Sequence, residues 1–291
     1  MSDEPNLLGD YLRARRELVT PEQAGIPVLG MRRVAGLRRE EVAMLAGISA
    51  DYYLRLEQGR DRNPSVQVLE SIARVLQLDD LTRDYLLGLG ADKPRRKRRQ
   101  SRRETVPAGI AKLVGALPFP AFVEGRYLDV LVANTLATAL SPRLVAGGNR
   151  LRDVFLDPEE QALFDPNSDK AAEALIAGFR QSVGTDIDDP RFIELVGELS
   201  LASPDFRRLW ARHDVGPRQG AAMRLDHPQV GELLLNREKL EVSGADGLML
   251  VIYHADAGTA TAEKLALLGS AAVTSTGARE MGSSDLDRRR R

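Results

Sequence analysis

The sequence predicts two domains of different class, an all-α domain followed by an α+β domain built on an antiparallel sheet. Three observations predict this. At 291 residues the chain is long enough to bury two cores of ordinary size. Its first ninety residues carry only helical apolar spacing, whereas beyond residue 109 short alternating runs bounded by turn residues are mixed with helical segments. Between the two lies PRRKRRQSRR, the densest charge run, whose like charges repel and whose flanking Pro94 and Pro107 discourage helix. The expected division is therefore 1–90, a basic linker over 91–108, a second domain over 109–268, and a small, polar, disordered tail over 269–291.

Composition narrows the function classes before any motif is read. The absence of cysteine removes disulfides and thiolate metal sites and suits a reducing cytosol. No apolar run approaches the roughly 20 residues of a membrane helix, and MSDEPN lacks the layout of a signal peptide. A cytoplasmic protein with no membrane role is expected. The formal net charge of −1 conceals an asymmetry, since residues 1–104 hold 20 Lys+Arg against 16 Asp+Glu and the remainder 21 against 26. A basic front half on an acidic rear half is the balance of a nucleic-acid-binding domain tied to a domain with another task.

Leu7, Leu8, Tyr11 and Leu12 set the stripe of a first, scaffolding helix with Arg13, Arg15 and Arg16 on its other side. A long connection from Val19 to Ala35 ends in Arg32 and Arg33, which can lie along a phosphate strand or stay solvated. Gly36–Gly59, GLRREEVAMLAGISADYYLRLEQG, then reads as two short helices joined by a tight turn, a helix-turn-helix. Gly47 can take the left-handed conformation that ends one helix, and Ser49 can cap the next. Val42, Leu45 and Ala46 face inward before the turn and Tyr53 and Leu56 after it, with Ile48 and Tyr53 at the positions of a hydrophobic staple. Asn63-Pro64-Ser65 starts a further helix carrying Val68, Leu69, Ile72, Ala73 and Leu76, and another follows from Asp79.

Leu37, Glu41, Val42, Ala43, Ala46, Gly47, Ser49, Tyr53, Leu56, Glu57, Gly59 and Pro64-Ser65 together resemble the XRE family, the lambda-repressor-like helix-turn-helix proteins. The strings LGDYLRARREL, GLRREEVAMLAGIS and DYYLRLEQGR, with the later GELSLASPDFRRLWARHDV, resemble the subfamily that carries an MmyB-type ligand-binding domain. The resemblance spans about Leu7 to Leu268 and implies a transcriptional regulator that binds double-stranded operator DNA.

A reading helix presents its first turns to base edges, here Ser49, Ala50, Asp51, Tyr52 and Arg55. Arg55 can donate two hydrogen bonds to guanine. Asp51 can accept from cytosine, but its spacing of four from Arg55 favours an ion pair. Ala50 offers a methyl contact, and Tyr52 can reach a base or a phosphate. By the family resemblance, Arg39 and Gln58 match phosphate-contacting positions, and Arg38 stands where relatives have a capping Ser or Thr. Arg60 and Arg62 are further phosphate candidates. One short reading helix sees few bases, so a homodimer on two half-sites is expected.

In the second domain, Ile110–Leu117 reads as a helix, and PFPAFVEGRYLDVLVANTLATAL as strand, turn, second strand and a helix capped by Asn134. This opening resembles a PAS domain. Helical segments follow over Lys170–Val183, Asp189–Leu201 and Pro204–His213, then strands over Ala221–Leu225, Val230–Asn236 and Leu248–His254 and a closing helix over Ala262–Leu268. The order gives an antiparallel α+β domain with helices on one face. Such a sheet commonly encloses an apolar cavity. Trp210, Arg212 and His213 are candidates for its mouth, and Phe122, Leu131 and Met223 for its interior. The family resemblance implies a small amphipathic ligand of fatty-acid type, whose carboxylate Arg212 or His213 can meet.

Catalysis has little support. His213-Asp214 are adjacent and point apart, no GxSxG elbow is present, and the three histidines lack the spacing of a zinc site. GLG at Gly88–Gly90 follows a helix, so no nucleotide fingerprint and no cofactor is read. The rival to a sensor is a second domain that only holds a dimer or binds another protein.

Overall fold

A computed structural model describes residues 6–27, 32, 34–61, 63–91, 104–164, 169–184, 186–218 and 220–271. Most of the expected linker and tail, and Arg33 and Arg62, lie outside the described residues. The chain forms two compact bodies that do not follow its linear order. The first comprises Met1–Ser101, Ile176–Glu194 and Pro204–Pro217, and the second Arg102–Leu175, Leu195–Ser203 and Arg218–Arg291.

The N-terminal part of the first body is five helices, α1 (Leu7–Leu18), α2 (Arg39–Ala46), α3 (Ala50–Glu57), α4 (Val66–Val75) and α5 (Asp80–Gly90). The expected punctuation is in place. Gly47 takes φ 72°, ψ 30° at the end of α2. The Ser49 hydroxyl accepts from Tyr52 N at 3.1 Å, and Ser65 and Asp79 cap α4 and α5 the same way. Tyr11, Leu12, Leu37, Val42, Tyr53, Leu56, Ile72 and Leu86 are fully buried. Leu45, expected on the inward stripe of α2, is 42% exposed, and Ala43 takes the inward place instead. Residues 39, 42, 43 and 46 share one face of that helix, and 45 falls outside it.

Two ion clusters tie this bundle together. Glu57, the last residue of α3, is completely buried; it accepts from Arg16 Nε through Oε1 and from Arg39 Nε through Oε2, each at 2.6 Å. Arg16 also donates to the Leu37 carbonyl at 2.9 Å, and Asn6 Nδ2 to the Glu57 carbonyl at 2.8 Å. Backbones meet so closely here that a Cβ on Gly9 would stand 2.3 Å from the Glu57 carbonyl oxygen. The second cluster answers the missing cap of α2. Glu41 accepts from the Arg38 N–H at 2.7 Å and is gripped by both Arg32 terminal nitrogens at 2.7 and 2.8 Å. Arg32, read from sequence as a phosphate-strand or solvated residue, thus holds a helix start.

Of the later helices, the end of α10 (Asp169–Val183), the start of α11 (Pro190–Ala202) and all of α12 (Pro204–Trp210) belong to the first body. Phe179, Phe192, Phe206 and Trp210 form an aromatic cluster there, with Phe206 and Trp210 stacked at 5.7 Å.

The second body is a five-stranded antiparallel sheet of order β2-β1-β5-β4-β3, a PAS-like arrangement. Its strands are β1 (Ala121–Glu124), β2 (Val130–Ala133), β3 (Ala221–His227), β4 (Gly231–Glu241) and β5 (Met249–His254). Side-chain alternation gives the sheet two covered faces. Phe122, Val251 and Tyr253 pack on one, with α7 (Thr135–Leu140), Leu163 of α9 (Pro158–Leu163) and Leu268 of a closing helix over 260–271. Ala121, Val123 and Leu250 face the other way, onto Val114 of α6 (Ala108–Ala116). The expectation of helices on one face therefore fails, because α6 covers the second face and all four residues of β1 are buried.

Asn134 joins three elements. Its side-chain oxygen accepts from Ala121 N and Ala137 N, capping α7, while Nδ2 donates to the carbonyls of Val114, Leu117 and Phe119. Helices α8 (Arg150–Leu156) and α9 went unread in the sequence, although Asn149 and Asp157-Pro158 start them with ordinary capping chemistry.

Glu57→Ala leaves Arg16 buried without its partner and is expected to lower the stability of the protein by about 3–5 kcal/mol in urea unfolding. The Arg32 guanidinium holds the Glu41 carboxyl at about 2, below its ordinary 4.5. Its stabilisation is complete above pH 4.5 and lost as pH falls toward 2. Glu41→Gln should therefore flatten the acid limb of stability in that window, read by circular dichroism.

Candidate DNA-reading face and ligand cavity

Helix α3 buries Tyr53, Leu56 and Glu57 and turns the opposite side outward. Ser49, Ala50 and Asp51 are exposed and Tyr52 and Arg55 half-buried. Arg55 forms an ion pair with Asp51 on the next turn and lies 5.7 Å from the centre of the Tyr52 ring. The side chains at 51, 52 and 55 are therefore one arranged group, with the guanidinium oriented by a carboxylate and an aromatic ring. Arg39 keeps 42% of its side chain exposed while its Nε is held by Glu57. Gln58 ends α3, exposed, and Arg60 is exposed on the loop that follows.

The candidate ligand residues are divided between the bodies. Trp210, Arg212 and His213 belong to the first body, and the sheet to the second. Arg180 places its guanidinium carbon 3.7 Å from the Trp210 ring centre and donates to the Trp210 carbonyl. The neighbouring His213 Nδ1 is 3.4 Å from Arg180 Nη1. Burial, helped by Arg180, pulls the His213 imidazole down to about 4, so it is neutral and can accept that bond. Arg212 pairs with Asp214 at 2.8 Å, and Asp214 with Arg15 at 3.1 Å. Trp210 and His213 are thus engaged by Arg180, and Arg212 by Asp214.

Phe122 does line a cavity. The second body holds one of about 200 Å³ between the sheet and α8, α9 and the start of α10. Phe122, Phe164 and Tyr253 give it aromatic walls. Leu131 does not line it; the pairing of β1 with β2 passes from Val132 to Val130, and the skipped Leu131 packs in the cluster on the α6 side. Met223 packs against the apolar core of the sheet without reaching the cavity lining.

Sequence reasoning missed the charged part of the lining, Glu124, Arg150, Arg237 and Lys239. Lys239 Nζ lies 2.7 Å from the buried Glu124 Oε1; burial pulls the ammonium's pKa down and Glu124 opposes this. Arg150 is neutralised by Glu160 at 2.7 Å and Asp153 at 3.2 Å. Arg237 stands two residues before Lys239 on the same face of β4, and its buried Nε has no hydrogen-bond partner among the described residues. An alternating charged pair in a strand was the available signal.

A helix-turn-helix with α3 turned outward, and a PAS-like sheet with a cavity, fit the class of DNA-binding transcription regulators with a ligand-binding domain. Residues 7–86 match a helix-turn-helix domain, and residues 106–268 match the MmyB-like transcription regulator ligand binding domain. The chain belongs to the family of MmyB-like transcription regulators. A search of curated proteins found no match.

Arg55→Ala is expected to cost about 1–3 kcal/mol of discrimination at one base step, whereas Arg39→Ala should weaken matched and mismatched operators alike and lower the salt slope by about one. Binding titrations on both operator types measure the difference; a uniform loss from Arg55→Ala sinks its role as a reader.

Proposed function

We propose that the protein is a sequence-specific transcription regulator that works in the cytoplasm as a homodimer, reads its operator through Arg55, and senses a fatty-acid-like amphipathic ligand in its second domain. Arg39, Gln58, Arg60 and Arg62 serve as phosphate anchors in this reading. The observation that carries it is the cavity of the second body. Its aromatic walls suit an apolar group and Arg237 suits an acid, while a domain that only held a dimer together would need no such space. Ligand occupancy alters operator affinity to the extent that the two protein states bind the ligand differently.

On an operator selected from a random-sequence library, two chains per duplex are expected, on half-sites about 10–10.5 bp apart centre to centre. Light scattering of the complex counts the chains, and one chain per operator ends the dimer proposal. Native mass spectrometry of the purified protein should show a bound acid, and added fatty acids should raise the thermal midpoint. No bound mass together with no shift would count against the sensor.

A further inference from the structure

We infer that the cavity takes a compact organic anion, a carboxylate on a single ring or a short chain, and that Arg237 receives its charge. The inference rests on the sensor reading and narrows its ligand.

Charge is the first argument. Three cations line the cavity, and two are already answered: Lys239 by Glu124 at 2.7 Å, and Arg150 by Glu160 and Asp153 at 2.7 and 3.2 Å. Arg237 remains, with its buried Nε–H unpaired among the described residues. A donor left that way carries a desolvation penalty that an accepting ligand removes. A neutral apolar ligand would leave the donor as it is, and a cation would repel it. A buried donor without a partner suits an acceptor, and a carboxylate can take this Nε–H together with a terminal N–H in two parallel hydrogen bonds.

Size is the second. An apolar cavity of about 150 Å³ holds a benzene ring, whereas drug-sized ligands occupy clefts of about 300–1,000 Å³. At about 200 Å³ the present cavity encloses a ring with a carboxylate or a short chain, and a long acyl chain would extend out through its open side. The walls agree, since Phe122, Phe164 and Tyr253 surround the space with aromatic surface and Arg237 lies directly across from Tyr253 in the β4–β5 pairing. An aromatic acid can therefore place its ring and its charge on neighbouring strands.

Isothermal titration of the full-length protein tests this with phenylacetate, hexanoate, the neutral isostere phenylacetamide, and palmitate. Phenylacetate and hexanoate should bind saturably, and phenylacetamide roughly ten- to hundredfold more weakly than phenylacetate. Arg237→Gln should bring phenylacetate and phenylacetamide level. Equal affinity for the two in the unaltered protein overturns the charge assignment without needing any variant. Palmitate binding more tightly than both short acids overturns the size inference and leaves the sensor standing. Heat from none of the acids, short or long, overturns the sensor reading together with this one.

Discussion

The carboxylate of Glu57 is the constraint on which the placement of α3 depends. It ends α3, where the helix dipole already disfavours negative charge, and it is completely out of water. Such a group is stable only when both oxygens are engaged, and two arginines from different elements engage them. Arg16 brings α1 and, through the Leu37 carbonyl, the entry to α2; Arg39 brings α2 itself. The angle at which α3 leaves the bundle is thus set by ion geometry as much as by Tyr53 and Leu56 packing. Arg39 is also partly exposed, so the residue that holds α3 from behind keeps one face in solvent.

The second body uses the opposite economy of charge. An apolar sheet face is interrupted at one end by Glu124, Arg237 and Lys239, a substitution of ions for core that weakens packing. Local rules are broken in this way chiefly where a site requires it. Neighbouring Arg150 rests in a closed group with Glu160 and Asp153, burial pushing the Asp153 carboxyl up to about 6. Fixed charges near a small apolar space give it a directional preference that an all-apolar space would lack.

Local punctuation was legible from residues alone. Gly47, Ser49, Ser65 and Asn134 act at the positions their chemistry requires, and the places of the strands along the chain followed from the alternation of short apolar runs. The Asp51–Arg55 pair was legible because helix spacing is fixed. The cavity was far less so. Arg237 and Lys239 lie beyond the expected end of β4 at Asn236, and only their alternation in the strand hinted that both turn toward one face. Trp210, Arg212 and His213 drew attention as the aromatic and titratable residues of a family-like string, yet their partners are Arg180 and Asp214. Helix boundaries and caps are local properties; which side chain is left without a partner depends on residues brought from more than a hundred positions away.

Asn134 shows how narrowly chemistry can restrict one position. Its amide nitrogen faces three carbonyl oxygens and its amide oxygen two N–H groups, so acceptor and donor are both fully used. Aspartate has the same shape and would fill the same space. It would nevertheless set a second oxygen against Val114, Leu117 and Phe119, turning three attractions into three repulsions. Spontaneous hydrolysis of that one amide would therefore undo the junction of α6, β1 and α7 from within, with no change in any apolar side chain.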